Sequence, residues 1–231
     1  MSAVDVIENQ DVVETPVQSE IEICPPLDFE FKKKPFYEFI KRVGDIFCSL
    51  LALVLLFLPL LVVAVIIMCV DFGNPFFSQE RVGKDGKVFK IYKFRSMYKD
   101  AEIRKAELAE QNEVDSSLFK IKDDPRILGK FGKFIRKFSV DELPQLLNIL
   151  KGDMSVVGPR PFIISEQENF CDERLLVKPG LSCYWQINGK NELSDAMSEY
   201  YDKKYIMDRS VLTDIGIVFK TFKVVIFSHN S

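Results

Sequence analysis

From Ile46 to Val70 the chain contains no charged residue, a run of about 25 positions. As a straight helix it would measure roughly 37 Å against a hydrocarbon thickness of about 30 Å, so length alone specifies a membrane-crossing helix. Two features argue for another path. Pro59 stands near the middle, where it removes a backbone donor and kinks a helix, leaving each arm too short to cross alone. Cations lie on both sides, Lys32, Lys33, Lys34, Lys41 and Arg42 before the run and Arg81, Lys84, Lys87, Lys90, Lys93 and Arg95 after it. Both flanks therefore read as cytoplasmic. A re-entrant anchor that enters, bends at Pro59 and leaves by the same face satisfies both facts. The alternative, a kinked span, puts the two flanks on opposite sides.

Charge separates the rest of the chain into two parts. The first 31 residues hold eight acids, no Lys or Arg, and Pro16, Pro25 and Pro26, a composition expected to be disordered. The formal net charge is −3 overall, so the remainder, with all 31 basic residues, carries about +5. A basic body beside a long apolar run points to anionic lipid or phosphorylated substrates. No nucleic-acid partner is expected. Five cysteines (Cys24, Cys48, Cys69, Cys171, Cys183) lack the spacing of a disulfide framework or zinc site, and the single histidine, His229, stands near the end. Carboxylates are left as the leading nucleophiles. No cleavable leader is expected in residues 1–31.

After the anchor, Phe76 to Met97 is rich in β-formers around Gly83-Lys84-Asp85-Gly86 and reads as a hairpin. With Val88–Met97 as a strand, Lys93 and Arg95 share one face. Lys99–Glu113 reads as an exposed helix and Asp123–Arg126 as a turn. Between Lys130 and Phe138, aromatics alternate with cations at helical spacing, giving a basic amphipathic helix suited to a membrane interface. Phe162–Val177 reads as a helix and Lys178–Lys190 as a structured loop with Trp185 and Gln186. Residues 191–209 and Val211–Phe227 read as helices, the last interfacial because Asp214, Lys220 and Lys223 interrupt it. The expected class is α+β and mostly helical: a re-entrant membrane helix, interfacial amphipathic helices and a small β-hairpin.

The chemistry concentrates in Ser139–Pro161, SVDELPQLLNILKGDMSVVGPRP. Ser139 and Glu142 fit a capping box, Leu143, Leu146, Leu147 and Leu150 form one apolar stripe, and Gly152 is placed to terminate the helix. Pro144 leaves open whether Ser139 or Asp141 is the cap. Either choice puts Asp141 and Glu142 at the positive helix end, where they can simply complement the dipole. Cations bracket them, Lys130, Lys133, Arg136 and Lys137 before and Arg160 after. Carboxylates held in such surroundings can also bind a metal or attack phosphorus.

This run, together with FKIYKFRSM and KPGLSCYWQINGKN, resembles the monotopic phosphoglycosyl transferases, bacterial sugar transferases that act on polyprenyl phosphate. The resemblance extends in order from about Lys32 to about Phe227. It implies a re-entrant anchor, although Leu58 stands where the family often has Ser. It also implies three regions: a tail over 1–31, an anchor over 32–72 and a catalytic domain over 73–228 on the cytoplasmic face of the bacterial inner membrane. The implied reaction passes a sugar 1-phosphate from a UDP-sugar to undecaprenyl or another polyprenyl phosphate and releases UMP. In it, Asp141 is the nucleophile of a covalent aspartyl-phosphosugar intermediate, and Glu142 assists it in holding Mg2+. Lys93, Arg136 and Arg160 hold phosphates, and Arg95, Gln186, Asp202 and Asp214 contribute to substrate binding. The loop departs from the commoner PGITGWAQVNGR at Ser182, Cys183, Tyr184, Trp185 and Lys190. A homodimer is compatible with this reading. Two alternatives stay open, a non-catalytic membrane-surface scaffold and a glycosyl transferase that releases UDP. A glycosidase fits less well, because adjacent acids on a helix diverge by about 100° instead of flanking a bond.

Overall fold

The computed structural model describes residues 27–101, 103–104, 121, 124–188 and 194–227. Helix α1 (Pro35–Val70) is unbroken for 36 residues, through Pro59, and begins on Pro35, whose missing amide hydrogen would have had no partner there. Two strands, β1 (Phe76–Val82) and β2 (Val88–Phe94), pair antiparallel from Phe76↔Phe94 to Val82↔Val88. Helix α2 (Gly129–Lys137) leads into a 3-10 turn (Val140–Gln145) and helix α3 (Leu146–Lys151). Strand β3 (Ser155–Val157), helix α4 (Ile164–Gln167), strand β4 (Gly180–Ser182) and helix α5 (Tyr184–Ile187) follow. Helices α6 (Asp195–Asp208) and α7 (Val211–Phe227) complete the described chain.

Among the described residues α1 is the one helix long and apolar enough to cross a membrane, and only 11% of its most apolar window is buried. The buried part is a stripe at helical spacing, containing Tyr37, Asp45, Ser49, Ala64 and Ile67. The stripe meets the rest of the protein along its whole length. Tyr37 and Lys41 donate to Asp214 of α7 at 2.8 and 2.7 Å. Arg42 donates to the Ile149 and Leu150 carbonyls at 2.6 and 2.9 Å, satisfying free acceptors at the end of α3. Asp45 accepts from the Val156 amide at 3.0 Å. Ala52 and Leu53 pack on a cluster of Ile91, Leu146, Ile149 and Met154. Beyond Pro59, Ala64 and Ile67 join Phe94, Leu128 and Ile135. Both arms of α1 thus rest on the same body, while Phe39, Phe47, Val54, Leu58 and Val62 remain exposed.

The short parallel pair β3 and β4, registered Ser155↔Gly180 and Val157↔Ser182, brings the GPRP segment against the KPGLS segment. A Cβ on Gly158 would lie 2.3 Å from the Lys178 carbonyl oxygen, and one on Gly180 only 2.0 Å from the Gly158 nitrogen. Backbones this close require glycine at both positions.

The mostly helical class and the hairpin agree with the sequence reading, and several local expectations are corrected. The Ser139 capping box is absent: Ser139 is left-handed (φ 54) and makes no side-chain cap. Glu142 instead accepts from Lys93, a charge-assisted bond stronger than a cap. The leucine stripe is out of phase, because the 3-10 turn winds three residues per turn. Leu147 is 44% exposed, while Asn148 is fully buried. Asn148 accepts from the Tyr92 amide and donates to the Lys90 carbonyl, serving the free edge of β2 as a strand would. Phe162–Val177 is not one helix but the short α4 and a 3-10 turn over Asp172–Leu176. Lys178–Asn188 holds β4 and α5 where a loop was expected. Of the acidic tail, residues 27–31 are described, and Phe29 and Phe31 pack against Val157, Tyr205, Ile206 and Ile217. Residues 1–26 and most of Lys99–Glu113 lie outside the described residues.

Candidate active site

Three elements meet at an open cleft: the hairpin, the 3-10 turn before α3, and the paired β3 and β4 segments with α5. The hairpin contributes Arg81, Ile91 and Lys93, the turn Glu142 and Gln145, the GPRP segment Arg160 and Pro161, and β4 with α5 Cys183 and Gln186. The cleft is therefore cationic, with Glu142 the one acid in its wall among the described residues. Lys93 Nζ donates to Glu142 Oε1 at 2.7 Å, with both side chains about one-fifth exposed. The Arg160 guanidinium lies 4.8 Å from the Trp185 ring centroid, and the Gln186 carbonyl oxygen is buried without a partner among the described residues.

Asp141 is the neighbour of Glu142 on the turn and is only 9% exposed. It is not among the residues that line the cleft. Burial, and next the charge of Glu142, push its carboxyl up to about 6, against the opposing pull of Lys93 and Arg136. The result is an unusually basic carboxylate, still mostly ionised at neutral pH and a better nucleophile than an ordinary aspartate. Arg136, on the last turn of α2, reaches Ser96 Oγ at 3.5 Å and supplies positive potential from that side.

The remaining expected residues fall elsewhere. Arg95 follows the end of β2 and bonds the Asp71 carbonyl, with its carboxylate at 3.4 Å, at the end of α1. It is not among the residues that line the cleft with Lys93. Asp214 receives Tyr37, Lys41 and Tyr205 at 2.8, 2.7 and 3.0 Å and fastens α7 to α1. Asp202 forms a 2.9 Å ion pair with Arg174 in the interior. Burial pushes Asp202 up to about 6 in spite of that cation. Arg174 also donates to the Arg160 carbonyl at 2.7 Å, so the pair braces the segment that carries Arg160. Arg81, Gln145 and Cys183 line the cleft without having been singled out in the sequence. Arg81 read as a flanking charge, and no local spacing marked the other two.

A family model described as "Bacterial sugar transferase" matches residues 36–228. A protein of Salmonella typhimurium named undecaprenyl-phosphate galactose phosphotransferase is 42% identical over 195 residues, covering 81% of this chain and 40% of that protein. An Aeromonas hydrophila protein named UDP-N-acetylgalactosamine-undecaprenyl-phosphate N-acetylgalactosaminephosphotransferase is 38% identical over 205 residues, 83% of this chain and 45% of its own length. The exopolysaccharide production protein ExoY of Sinorhizobium fredii is 38% identical over 205 residues, 86% of this chain and 90% of its own length. The chain thus spans about two-fifths of the Salmonella protein and nearly all of the Sinorhizobium one.

Proposed function

Because this chain belongs to the bacterial sugar transferase family, we propose that it transfers a sugar 1-phosphate from a UDP-sugar to undecaprenyl phosphate, an early membrane step of polysaccharide assembly. The observation that carries the reading is a buried, basic Asp141 beside a cleft walled by Lys93, Arg160 and Glu142. An anionic nucleophile must approach an anionic diphosphate, and cations fixed in place lower that repulsion without reorganising.

A carboxylate oxygen of Asp141 attacks the β-phosphorus of the UDP-sugar. The new O–P bond forms as the bond to the bridging oxygen breaks, and UMP leaves with that electron pair. A phosphate oxygen of undecaprenyl phosphate then attacks the same phosphorus, breaking the aspartyl–phosphorus bond and restoring the carboxylate. Lys93 and Arg160 hold phosphate oxygens, Arg136 keeps Asp141 ionised, and Gln186 offers its amide to the donor. Arg95, Asp202 and Asp214 support this reading only as braces of α1, the Arg160 segment and α7.

Asp141 and Glu142 fit a magnesium ion in donor chemistry: it commonly takes one or two carboxylates with substrate phosphate and water, and their mutual repulsion is what a divalent cation relieves. When bound, Mg2+ would neutralise developing phosphate charge. Chelation is expected to stop turnover and added Mg2+ to restore it; full activity in excess chelator contradicts this assignment.

The cleft wall favours a second assignment of the acids, in which Glu142 attacks, since it lines the cleft and Asp141 does not. Its 2.7 Å bond to Lys93 already engages one carboxylate oxygen and weighs against it.

The contacts of both α1 arms with one body support an anchor over 32–72 that dips into the cytoplasmic leaflet without crossing, ahead of a catalytic domain over 73–228. Labelling Cys24 and Cys171 in sealed vesicles is expected to mark both from one side; labelling from opposite faces contradicts the re-entrant path. The relatives' names give different sugars, galactose and N-acetylgalactosamine. A panel of UDP-sugars with undecaprenyl phosphate and detection of UMP tests the whole reading. Vesicle binding with no nucleotide released supports a scaffold instead, and UDP in place of UMP supports a glycosyl transferase.

A further inference from the structure

We infer that Arg81, on the last turnward residues of β1, is a second guanidinium ligand for the donor diphosphate, facing the same cleft as Arg160. The inference rests on the proposed reaction and adds to it a residue that neither the sequence motifs nor the family resemblance singled out.

Arg81 is an unusual residue to hold in a structural role alone. Its side chain is only 13% exposed, yet it lines the cleft with Lys93 and Arg160. A guanidinium has five N–H donors. Three find acceptors: the Pro161 carbonyl at 3.2 Å, Glu166 Oε2 at 3.3 Å and Gln79 Oε1 at 2.7 Å. The Nε–H of Arg81 has no acceptor among the described residues, and neither does that of Arg160. Two under-satisfied guanidinium groups thus border one cavity, each costly to desolvate and each repelling the other. Burial, then the charge of Arg160, lower the Arg81 guanidinium to about 10, with Glu166 and Glu142 opposing.

Such an arrangement is relieved by an anion of matching size. Among the described residues three cations, Arg81, Lys93 and Arg160, line the cleft against two carboxylates, Glu142 bonded to Lys93 and Glu166 at 3.3 Å from Arg81. Two carboxylates against three cations leave net positive charge for an anion to meet. A diphosphate carries more than one negative charge on two tetrahedral groups, and planar guanidinium forks suit adjacent phosphate oxygens. Contacts with Pro161 and Glu166 fix the guanidinium plane before the ligand arrives, which spares ordering cost on binding.

The test is titration of the full chain in detergent with inorganic pyrophosphate, in excess chelator, by calorimetry. Arg81→Met is expected to weaken binding about 10- to 100-fold, the range for a lost charge-assisted hydrogen bond, and Arg81→Lys to lie between it and the parent. Glu166→Gln keeps an acceptor for the Ile163 amide, which Glu166 now receives at 3.1 Å, but removes the charge beside Arg81. It is expected to tighten pyrophosphate binding several-fold. A mere brace predicts the opposite sign, weakening in Glu166→Gln as in Arg81→Met. Undiminished binding by Arg81→Met, weakening by Glu166→Gln, or no pyrophosphate binding by the parent chain would each overturn the assignment. Should Arg81→Met not fold, the Lys and Gln variants decide. Pyrophosphate binding that behaves as expected, in a chain that releases UMP from no UDP-sugar, leaves the anion site standing and removes the proposed reaction.

Discussion

Asp141→Asn is expected to lose UMP release by about 10⁴-fold or more, the scale on which removal of a covalent nucleophile acts, and to acquire no sugar label from UDP-sugar alone. The same substitution is expected to stabilise the fold. Asp141 is raised from 3.8 to about 6 in the folded chain, so folding favours its protonated form. That contribution is complete below the unfolded value and is lost as pH rises through about 6. Above pH 6 the parent therefore carries a buried charge at a cost on the order of 2–3 kcal/mol, which Asn avoids. Melting in metal-free buffer should show the Asn variant ahead of the parent at pH 7.5 and the gap closing towards pH 4. For the parent, turnover should fall as pH drops below about 6, because the nucleophile is then protonated. A variant that is active, or that melts earlier than the parent at pH 7.5, contradicts this account of Asp141.

The second large effect is expected at Arg174, far from any reacting atom. Arg174 and Asp202 are each 3% exposed and 2.9 Å apart, and the Arg174 guanidinium also lies 3.5 Å from the Phe162 ring centroid. Arg174→Met leaves Asp202 buried without its cation, a change that typically costs about 3–5 kcal/mol. Adding Asp202→Leu removes the stranded charge and should recover most of the loss. Denaturant midpoints of the two single variants and the double variant measure this directly. Additive losses would mean the pair is not coupled. Because Arg174 holds the Arg160 carbonyl, the stable double variant should still show a raised KM for UDP-sugar.

How far the sequence could be read depends on the range of the forces involved. The uncharged run, the hairpin around Gly83–Gly86, the basic amphipathic α2 and the final helix Val211–Phe227 are set by local pattern, and each is present. What escaped was decided by distant partners. Glu142 forgoes its cap because Lys93, 49 residues away, offers a stronger bond. Asn148 is buried in place of a leucine because the edge of β2 needs a donor and an acceptor. The pairing of β3 with β4 depends on two glycines whose backbones nearly touch, and three-residue strands leave no periodicity to detect. Within the site, Glu142, Lys93, Arg160 and Gln186 converge on one cleft from motifs that the family resemblance had already joined. Arg95, Asp202 and Asp214 look equally charged and equally placed in the sequence, and only their partners separate them from the cleft.

The central claim is that Asp141 bonds to phosphorus during turnover. The direct measurement is to incubate the full chain with a UDP-sugar and no lipid acceptor, quench, digest, and locate any added mass within Phe138–Lys151 by fragmentation. The account predicts one sugar-phosphate on Asp141, with an equivalent of UMP released. An unmodified Asp141, with the mass on Glu142 or with UMP appearing only when undecaprenyl phosphate is also present, would contradict it.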